Sequence, residues 1–279
     1  MTRPVFTEDA RFEPIWWEAA APAPLDETPL PAGVDVAVVG AGFTGLSAAL
    51  ALLRAGRSVL VLDAGVPGKG ASTRNGGMIG SGHRVGLAQL IRRYGRQTAL
   101  TLLKEGLAAQ DFTMELIERE QIACQLVRSG RFRGAWRPAD YEAMGRELDG
   151  LRRAIGLEAD MVTRAEQHRE AASDAYHGGV VYHRHGGLHP GLFHRGLLAR
   201  VQAAGGAVAG RTPVTAVLPE AGGFQVTTPR GRISARDVVV ATNGYTGALT
   251  PALQRRLVPV PSYMVATEPL PAGDRKSVV

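Results

Sequence analysis

Hydrophobic and polar positions divide this chain into segments of clearly different period. Val34–Val39 ("VDVAVV") is a short valine-rich run of the kind a buried strand requires. Phe43–Ala55 is rich in alanine and leucine, which favour helix, and Gly56 supplies a stop. Ser58–Leu62 returns to an apolar run and predicts a second strand, so the stretch reads as a βαβ unit. Leu87–Glu120 carries Leu90, Ile91, Tyr94, Leu102, Leu103, Leu107, Phe112, Leu116 and Ile117 at mostly three- and four-residue spacing, which predicts helix. Cys124–Trp136 alternates enough for short strands, and Pro138–Ile155 is helical again. "VTRAEQHREAAS" reads as a short helix with Thr163 as its N-cap. His177–Val208 reads strand, turn, helix, with His189-Pro190 at the helix entrance. "AVAGRTPVTAV", "GGFQVTT" and "GRISARDVVVATNG" are three successive strand-like pieces. Ahead of all this, Met1–Gly33 is proline-rich and aperiodic, an arm over the surface anchored by the rings of Trp16 and Trp17.

The turn after the first strand carries the first chemistry. Gly40, Gly42 and Gly45 stand in the order G-x-G-x-x-G. Gly40 permits the tight turn, Gly42 lets a pyrophosphate approach the backbone, and Gly45 lets the helix pack close to the sheet. The helix N-terminus would hold phosphate through its N–H groups and its dipole. Asp63, at the tip of the second strand, is placed to accept hydrogen bonds from an adenosine ribose and to repel a 2′-phosphate. These features predict a bound dinucleotide but do not separate FAD from NAD or fully exclude NADP.

Two further segments narrow the choice. "GKGASTRNGGMIG" (Gly68–Gly80) is a second glycine-rich loop soon after the ribose acid. It suits backbone passing close to a flat ring, with Arg74 and Asn75 as polar groups and Gly76 and Gly77 allowing the approach. "DVVVATNGYTG" (Asp237–Gly247) is a β-branched strand leading into Ala241-Thr242-Asn243-Gly244, small residues able to lie against a cofactor. Its Asn-Gly pair is equally a turn dipeptide.

The pieces "VVGAGFTGLSAA", "GASTRNGG", "GGLHP", "VVVATNGYTG" and "VATEPL", in this order, resemble the D-amino-acid-oxidase-like family of FAD-dependent oxidoreductases, and within it the gamma-glutamylputrescine oxidase group. Asp63 stands where relatives often have Glu; Asp can bond the ribose equally. The resemblance implies an α/β fold: a Rossmann-like FAD-binding domain of glutathione-reductase type, interrupted by an α+β substrate cap and incomplete at the C-terminus. It implies FAD held by Gly40, Ala41, Gly42, Phe43, Thr44 and Gly45, by Asp63 and Ala64, and by Ser72, Arg74, Asn75, Gly76, Gly77 and Met78. Val214 and Ala241, Thr242, Asn243 and Gly244 complete that set. It also implies the reaction: hydride transfer from the carbon beside a neutral amine nitrogen to flavin N5, then reoxidation by oxygen or another acceptor. A small-molecule amine is the expected partner. Glycine, sarcosine or D-amino-acid oxidation within the same superfamily is the alternative, and a non-catalytic FAD-binding remnant is a third reading. No catalytic side chain is assigned, because a neutral amine needs no obligatory base.

Composition changes this picture little. The net charge of +6 invites a nucleic-acid reading, but the arginines are scattered and form no basic block, so no nucleic-acid partner is expected. No apolar stretch reaches membrane-spanning length, and the acid- and proline-bearing N-terminus lacks the apolar core of a signal peptide. Cys124 is the only cysteine, which favours a cytoplasmic location; no electropositive motif surrounds it. His183, His185, His189 and His194 lack the acids or cysteines of a ligand set, so no metal is expected.

The expected organisation is therefore an N-terminal arm (1–32), an FAD-binding domain made of 33–83 and 171–250, and a partial cap made of 84–170 and 251–273. The cap is expected to resume from Pro251 with a strand lacking its partners. Residues 274–279 ("DRKSVV") are also the translation of GATCGGAAGAGCGTCGTG, the start of a widely used sequencing adapter. That coincidence predicts a foreign tail on a truncated chain.

Overall fold

A computed structural model of the chain describes residues 6, 8–27 and 29–267. In chain order it contains α1 (Trp17–Ala20), β1 (Gly33–Val39), α2 (Phe43–Arg54), β2 (Val59–Leu62), β3 (Met78–Ile79), α3 (Leu87–Tyr94), α4 (Arg96–Arg119) and β4 (Arg131–Gly134). Next come α5 (Pro138–Ile155), β5 (Ala159–Val162), β6 (Gly179–Tyr182), β7 (Gly186–Gly187) and α6 (Pro190–Ala203). The last elements are β8 (Ala207–Ala209), β9 (Ala216–Glu220), β10 (Gly223–Thr228), β11 (Gly231–Val240) and α7 (Pro251–Gln254). The chain divides into two compact units.

The first unit comprises the described residues up to Gly76, with Ile122–Cys124 and His189–Met264. Its sheet has the order β8-β2-β1-β11-β10-β9. β8, β2, β1 and β11 are parallel, and β9–β10–β11 form an antiparallel meander. Taking the four parallel strands alone, the chain order is third, second, first, fourth, the arrangement of a dinucleotide-binding half. Side-chain alternation explains the solid apolar runs of β1 and β2. Ala37, Leu60 and Leu62 join Ala209, Val226, Ile233 and Ala235 in one core cluster. On the opposite face Val38 lies under α2, within 3.3 Å of where a Gly45 Cβ would be. A strand buried on both faces cannot alternate with polar residues.

The second unit comprises Gly77–Gln121, Gln125–Leu188 and the described residues from Val265. Its three-stranded antiparallel sheet has the order β4-β6-β5, with α5 packed on β6 through Leu148, Ala159 and Val180. β3 pairs with β7 in a separate two-stranded ribbon.

Several elements differ from the sequence reading. The helix expected over Leu87–Glu120 is two helices, because Gly95 adopts φ +79, which a helix cannot contain. Both still pack together through Leu90, Ala99 and Leu103. In Cys124–Trp136 only Arg131–Gly134 is a strand, with a single bridge from Val127 to Gly187. "VTRAEQHREAAS" is not an α-helix: Val162 closes β5 and only Gln167–Arg169 forms a 3₁₀ turn. Thr163 does bond Glu166, its hydroxyl donating to the carboxylate at 2.7 Å, but this closes one turn that does not propagate. The expected strand after Pro251 is absent: α7 is followed by irregular, exposed chain to residue 267. Without partners a lone strand has nowhere to place its N–H and C=O groups except water. Residues 77–83 and 171–188 group with the second unit, and 251–264 with the first. The suspected foreign tail lies outside the described residues. Among those residues no helix is long and apolar enough to cross a membrane.

Candidate functional site

Within the first unit the three motifs meet at the C-terminal ends of β1 and β11. β1 and β11 run in register from Val39↔Val240 backwards, so Gly40 and Ala241 leave the sheet side by side. Gly40 adopts φ +107, and a Cβ there would lie 2.7 Å from the Ala241 carbonyl oxygen. Only glycine meets both demands. Gly45 is tighter still: its Cβ would lie 1.9 Å from the Gly40 oxygen. This contact seats the first turn of α2 on the turn that precedes it.

Gly42 is the N-cap of α2 and brings no side chain to cap it. The second glycine-rich loop arrives there instead. The Ser72 hydroxyl accepts the Phe43 N–H at 2.9 Å and lies 2.8 Å from where a Gly42 Cβ would be. A hydroxyl oxygen therefore stands in front of a helix N-terminus, the position that phosphate oxygens favour. Asp63 closes the other side. One of its oxygens accepts the Ala41 N–H and the other the Gly65 N–H, each at 2.8 Å. The carboxylate is thereby fixed beside the glycine turn, and each oxygen retains acceptor capacity.

The second loop is held in place from below by the N-terminal arm. Trp16 Nε1 donates to the Asn75 carbonyl at 2.8 Å, and Trp17 Nε1 donates to the Thr73 hydroxyl at 2.9 Å. Thr73 is buried and passes its own proton to the Gly68 carbonyl at 2.6 Å. The Arg74 guanidinium lies 4.7 Å above the Trp17 ring, and its Nε donates to the Lys69 carbonyl. The Asn75 amide donates to the Ala71 and Ser72 carbonyls. Arg74 and Asn75 thus shape the loop, whereas Ser72 reaches the helix terminus. The third motif closes on the second: a Cβ at Gly70 would lie 3.2 Å from the Tyr245 ring. Asn243 sits at φ +47 in a 3₁₀ turn with Gly244, and Thr242 shares a hydroxyl hydrogen bond with Thr246 at 2.7 Å.

Other candidates fall elsewhere. The Val214 side chain packs against the core cluster. Ala64 is exposed. Gly77 and Met78 belong to the second unit, where the Gly77 carbonyl, at φ +68, accepts the Leu188 N–H at 2.8 Å.

His194 supports the site without any motif to announce it. Its Nε2–H donates to the Ala41 carbonyl at 2.7 Å, and its ring fills the space above Gly68, which adopts φ +92. Burial pushes its pKa down, opposed by that hydrogen bond and by Asp63, so the ring is neutral near pH 7. His189 is the N-cap of α6: its Nδ1 accepts the Leu192 N–H, and Trp16 lies edge-on to its ring. His183 bonds Asp160, within the second unit. Cys124 is buried.

A dinucleotide fits this arrangement. Gly40 and Gly45 draw the turn tight against Ala241 and α2, Gly42 leaves the N-terminus of the twelve-residue α2 without a side chain of its own and met by the Ser72 hydroxyl, and an acid is fixed alongside. Comparison with known families identifies which dinucleotide. Residues 35–278 match the family DAO, described as FAD dependent oxidoreductase. The chain belongs to this family. The match extends across most of the C-terminal segment read above as foreign.

Among curated members, the chain is 32% identical over 261 residues to probable oxidoreductase OrdL of Haemophilus influenzae, covering 88% of this chain and 58% of that protein. It is 31% identical over 258 residues to gamma-glutamylputrescine oxidoreductase of Escherichia coli K12, covering 92% and 60%. It therefore spans less than two thirds of the length of these relatives. In structure it is similar to glycine oxidase from Geobacillus kaustophilus, with TM-score 0.66 and 22% identity over 80% of this chain and 59% of that one. It is also similar to L-amino acid deaminase from Proteus vulgaris, with TM-score 0.67 and 21% identity over 83% and 53%. At those identities the likeness is one of DAO fold.

Proposed function

We propose that the protein binds FAD in its first unit and oxidises a C–N bond of a small amine, of which a gamma-glutamylputrescine-like molecule is the preferred candidate. The observation that carries the cofactor assignment is the meeting of Gly42, Ser72 and Asp63 around the N-terminus of α2. The substrate assignment is supported by the resemblance to gamma-glutamylputrescine oxidoreductase. Bound FAD supplies a hydride acceptor. The protein's own share is binding and orientation. The N–H groups of the first turn of α2 and the Ser72 hydroxyl would hold pyrophosphate, and Asp63 would hold the ribose. Ala241–Gly244 and the 72–77 loop would lie against the rest of the cofactor. The two tryptophans brace that loop through bonds made within the protein, and such bracing lowers the ordering cost of binding. The second unit, rich in helix, takes the role of substrate cap. Oxygen or another acceptor is the proposed electron sink, and the cytoplasm the proposed location.

Glycine, sarcosine or a D-amino acid is the second reading, supported by 26% identity to glycine oxidase of Bacillus licheniformis. An absorbance spectrum of the purified chain tests the cofactor: a flavin spectrum is expected, lost in Gly42→Val, whose side chain would collide with the Ser72 hydroxyl. Retention of flavin by that variant would refute the assignment. Anaerobic bleaching of the full-length flavoprotein by gamma-glutamylputrescine, against glycine, sarcosine and D-alanine, tests the substrate. Bleaching only by the amino acids would favour the second reading.

A further inference from the structure

The second unit contains an open cavity of about 390 Å³ lined by the 81–87 loop, α4, α5, β4 and β6. This volume lies in the range of small-molecule sites. Its lining holds residues of two kinds. Leu103, Leu151, Ile155 and Leu157 form an apolar wall. Arg84, Arg131 and Arg133 line it too, and among the described residues none of the three has a carboxylate partner. Arg131 and Arg133 alternate on β4 and so share one face of the sheet, where Arg131 stands opposite Tyr182. Three arginines against the single carboxylate of Glu147 leave the lining with a positive excess, which attracts an anion.

A second observation is independent of the arginines. His185 lines the same cavity and is buried, its ring stacked on Tyr182 at 4.9 Å and 14°. The Ser81 N–H donates to its Nε2 at 3.3 Å, so Nδ1 carries the ring proton in the neutral form. That Nδ1 is buried against Gly80 and finds no acceptor among the described residues. An orphaned buried donor is costly in a folded protein, and this one belongs to a residue that lines the cavity. Burial and the Arg131 charge both push the ring towards its neutral form.

Glu147 limits the charge that can enter. Its carboxylate lies in the cavity lining against Gly86, where any side chain at that position would collide with it. A second negative group on the ligand would meet it, which penalises dianions. From this juxtaposition we propose that the second unit carries a binding site for a small organic monocarboxylate: its carboxylate received by Arg131 and Arg133, and its aliphatic body on Leu103, Leu151 and Leu157. The site stands apart from the cofactor assignment, and nothing in it requires the oxidised substrate to be its ligand.

The test is calorimetric titration of the whole chain with hexanoate, with hexanamide as the uncharged analogue, pimelate as the dianion and inorganic phosphate as the bare anion. One-to-one binding of hexanoate is expected at a Kd of about 1 mM or tighter, with the three comparison compounds about tenfold weaker or worse. Arg131→Ala and Arg133→Ala should each weaken hexanoate about tenfold while leaving the melting temperature unchanged, since both side chains are exposed. Glu147→Gln should tighten hexanoate and admit pimelate. The imidazole NMR signals of His185 should shift on saturation. Equal binding of hexanamide, equal binding of phosphate, unaltered binding by either arginine variant, or no saturable binding of hexanoate would each overturn the proposal.

Discussion

Gly45→Ala sets two known effects against each other. In an exposed helix the change gains about 0.5–1 kcal/mol, because alanine loses less backbone entropy than glycine. Here the new methyl would stand 1.9 Å from the Gly40 oxygen, which must retreat by at least about 1.1 Å to restore the shortest tolerated contact. The obstacle is backbone, so no rotamer relieves it, and Val38 stands behind at 3.3 Å. Overpacking of this kind costs about 1–3 kcal/mol, leaving a net loss of about 1–2 kcal/mol, or roughly 2–8 °C in melting temperature. The cofactor should suffer more than the fold. The retreat displaces the Gly40 turn, whose N–H bonds Leu62 at 2.8 Å, and with it the Ala41 N–H that fixes Asp63. Loss of one hydrogen bond to a charged group corresponds to a tenfold or greater loss of FAD affinity. Gly247→Ala is the matched control: no atom lies within 4 Å of its Cβ position and its φ is ordinary. It should be neutral or slightly stabilising. Thermal melts and flavin-fluorescence titrations of both variants check this, and a Gly45→Ala protein indistinguishable from Gly247→Ala in both would refute the packing account.

Ser72→Ala should leave the fold within about 1 kcal/mol, since water can replace the hydroxyl at Phe43, but weaken FAD about tenfold by removing a donor to the phosphates; flavin-fluorescence titration reads it. Trp17→Phe keeps a ring under Arg74 and loses only the bond to Thr73, at a cost of about 1 kcal/mol. Trp17→Ala also loses the ring, for about 2–3 kcal/mol in urea unfolding, and equal stability of the two would contradict the clasp. His185, His189 and His194 all have pKa values lowered by burial, so below pH 6.5 the unfolded chain binds protons that the folded chain does not. Stability should therefore be full above that pH and fall as pH drops from 6.5 towards the lower native values. Urea midpoints from pH 7.5 to 5.5 measure the slope, which His194→Asn should reduce.

What the sequence determined by itself is what contiguous residues can encode. The strand of Val34–Val39, the helix from Phe43 and the strand to Leu62 follow from local period and propensity. The three glycines state their roles through spacing, because a turn, a close approach and a tight helix seat lie within six consecutive residues. His189-Pro190 marks the start of α6 for the same local reason. Elsewhere the local signals are ambiguous. Apolar spacing continues in phase through Gly95, which hides the break, and Thr163 with Glu166 has the chemistry of a helix cap without the helix. Only the tertiary structure decided what meets what. β11 lies beside β1, the Ser72 hydroxyl stands at the α2 terminus, Trp16 and Trp17 clasp the loop after Gly70, and His194 bonds the Ala41 carbonyl 153 positions away. The arginines of β4 and the apolar wall of α5 likewise reach one cavity only by folding. No period or spacing records such pairs, because they are fixed by how strands order in a sheet and helices stack upon it, and that choice is made by the burial of the whole core at once.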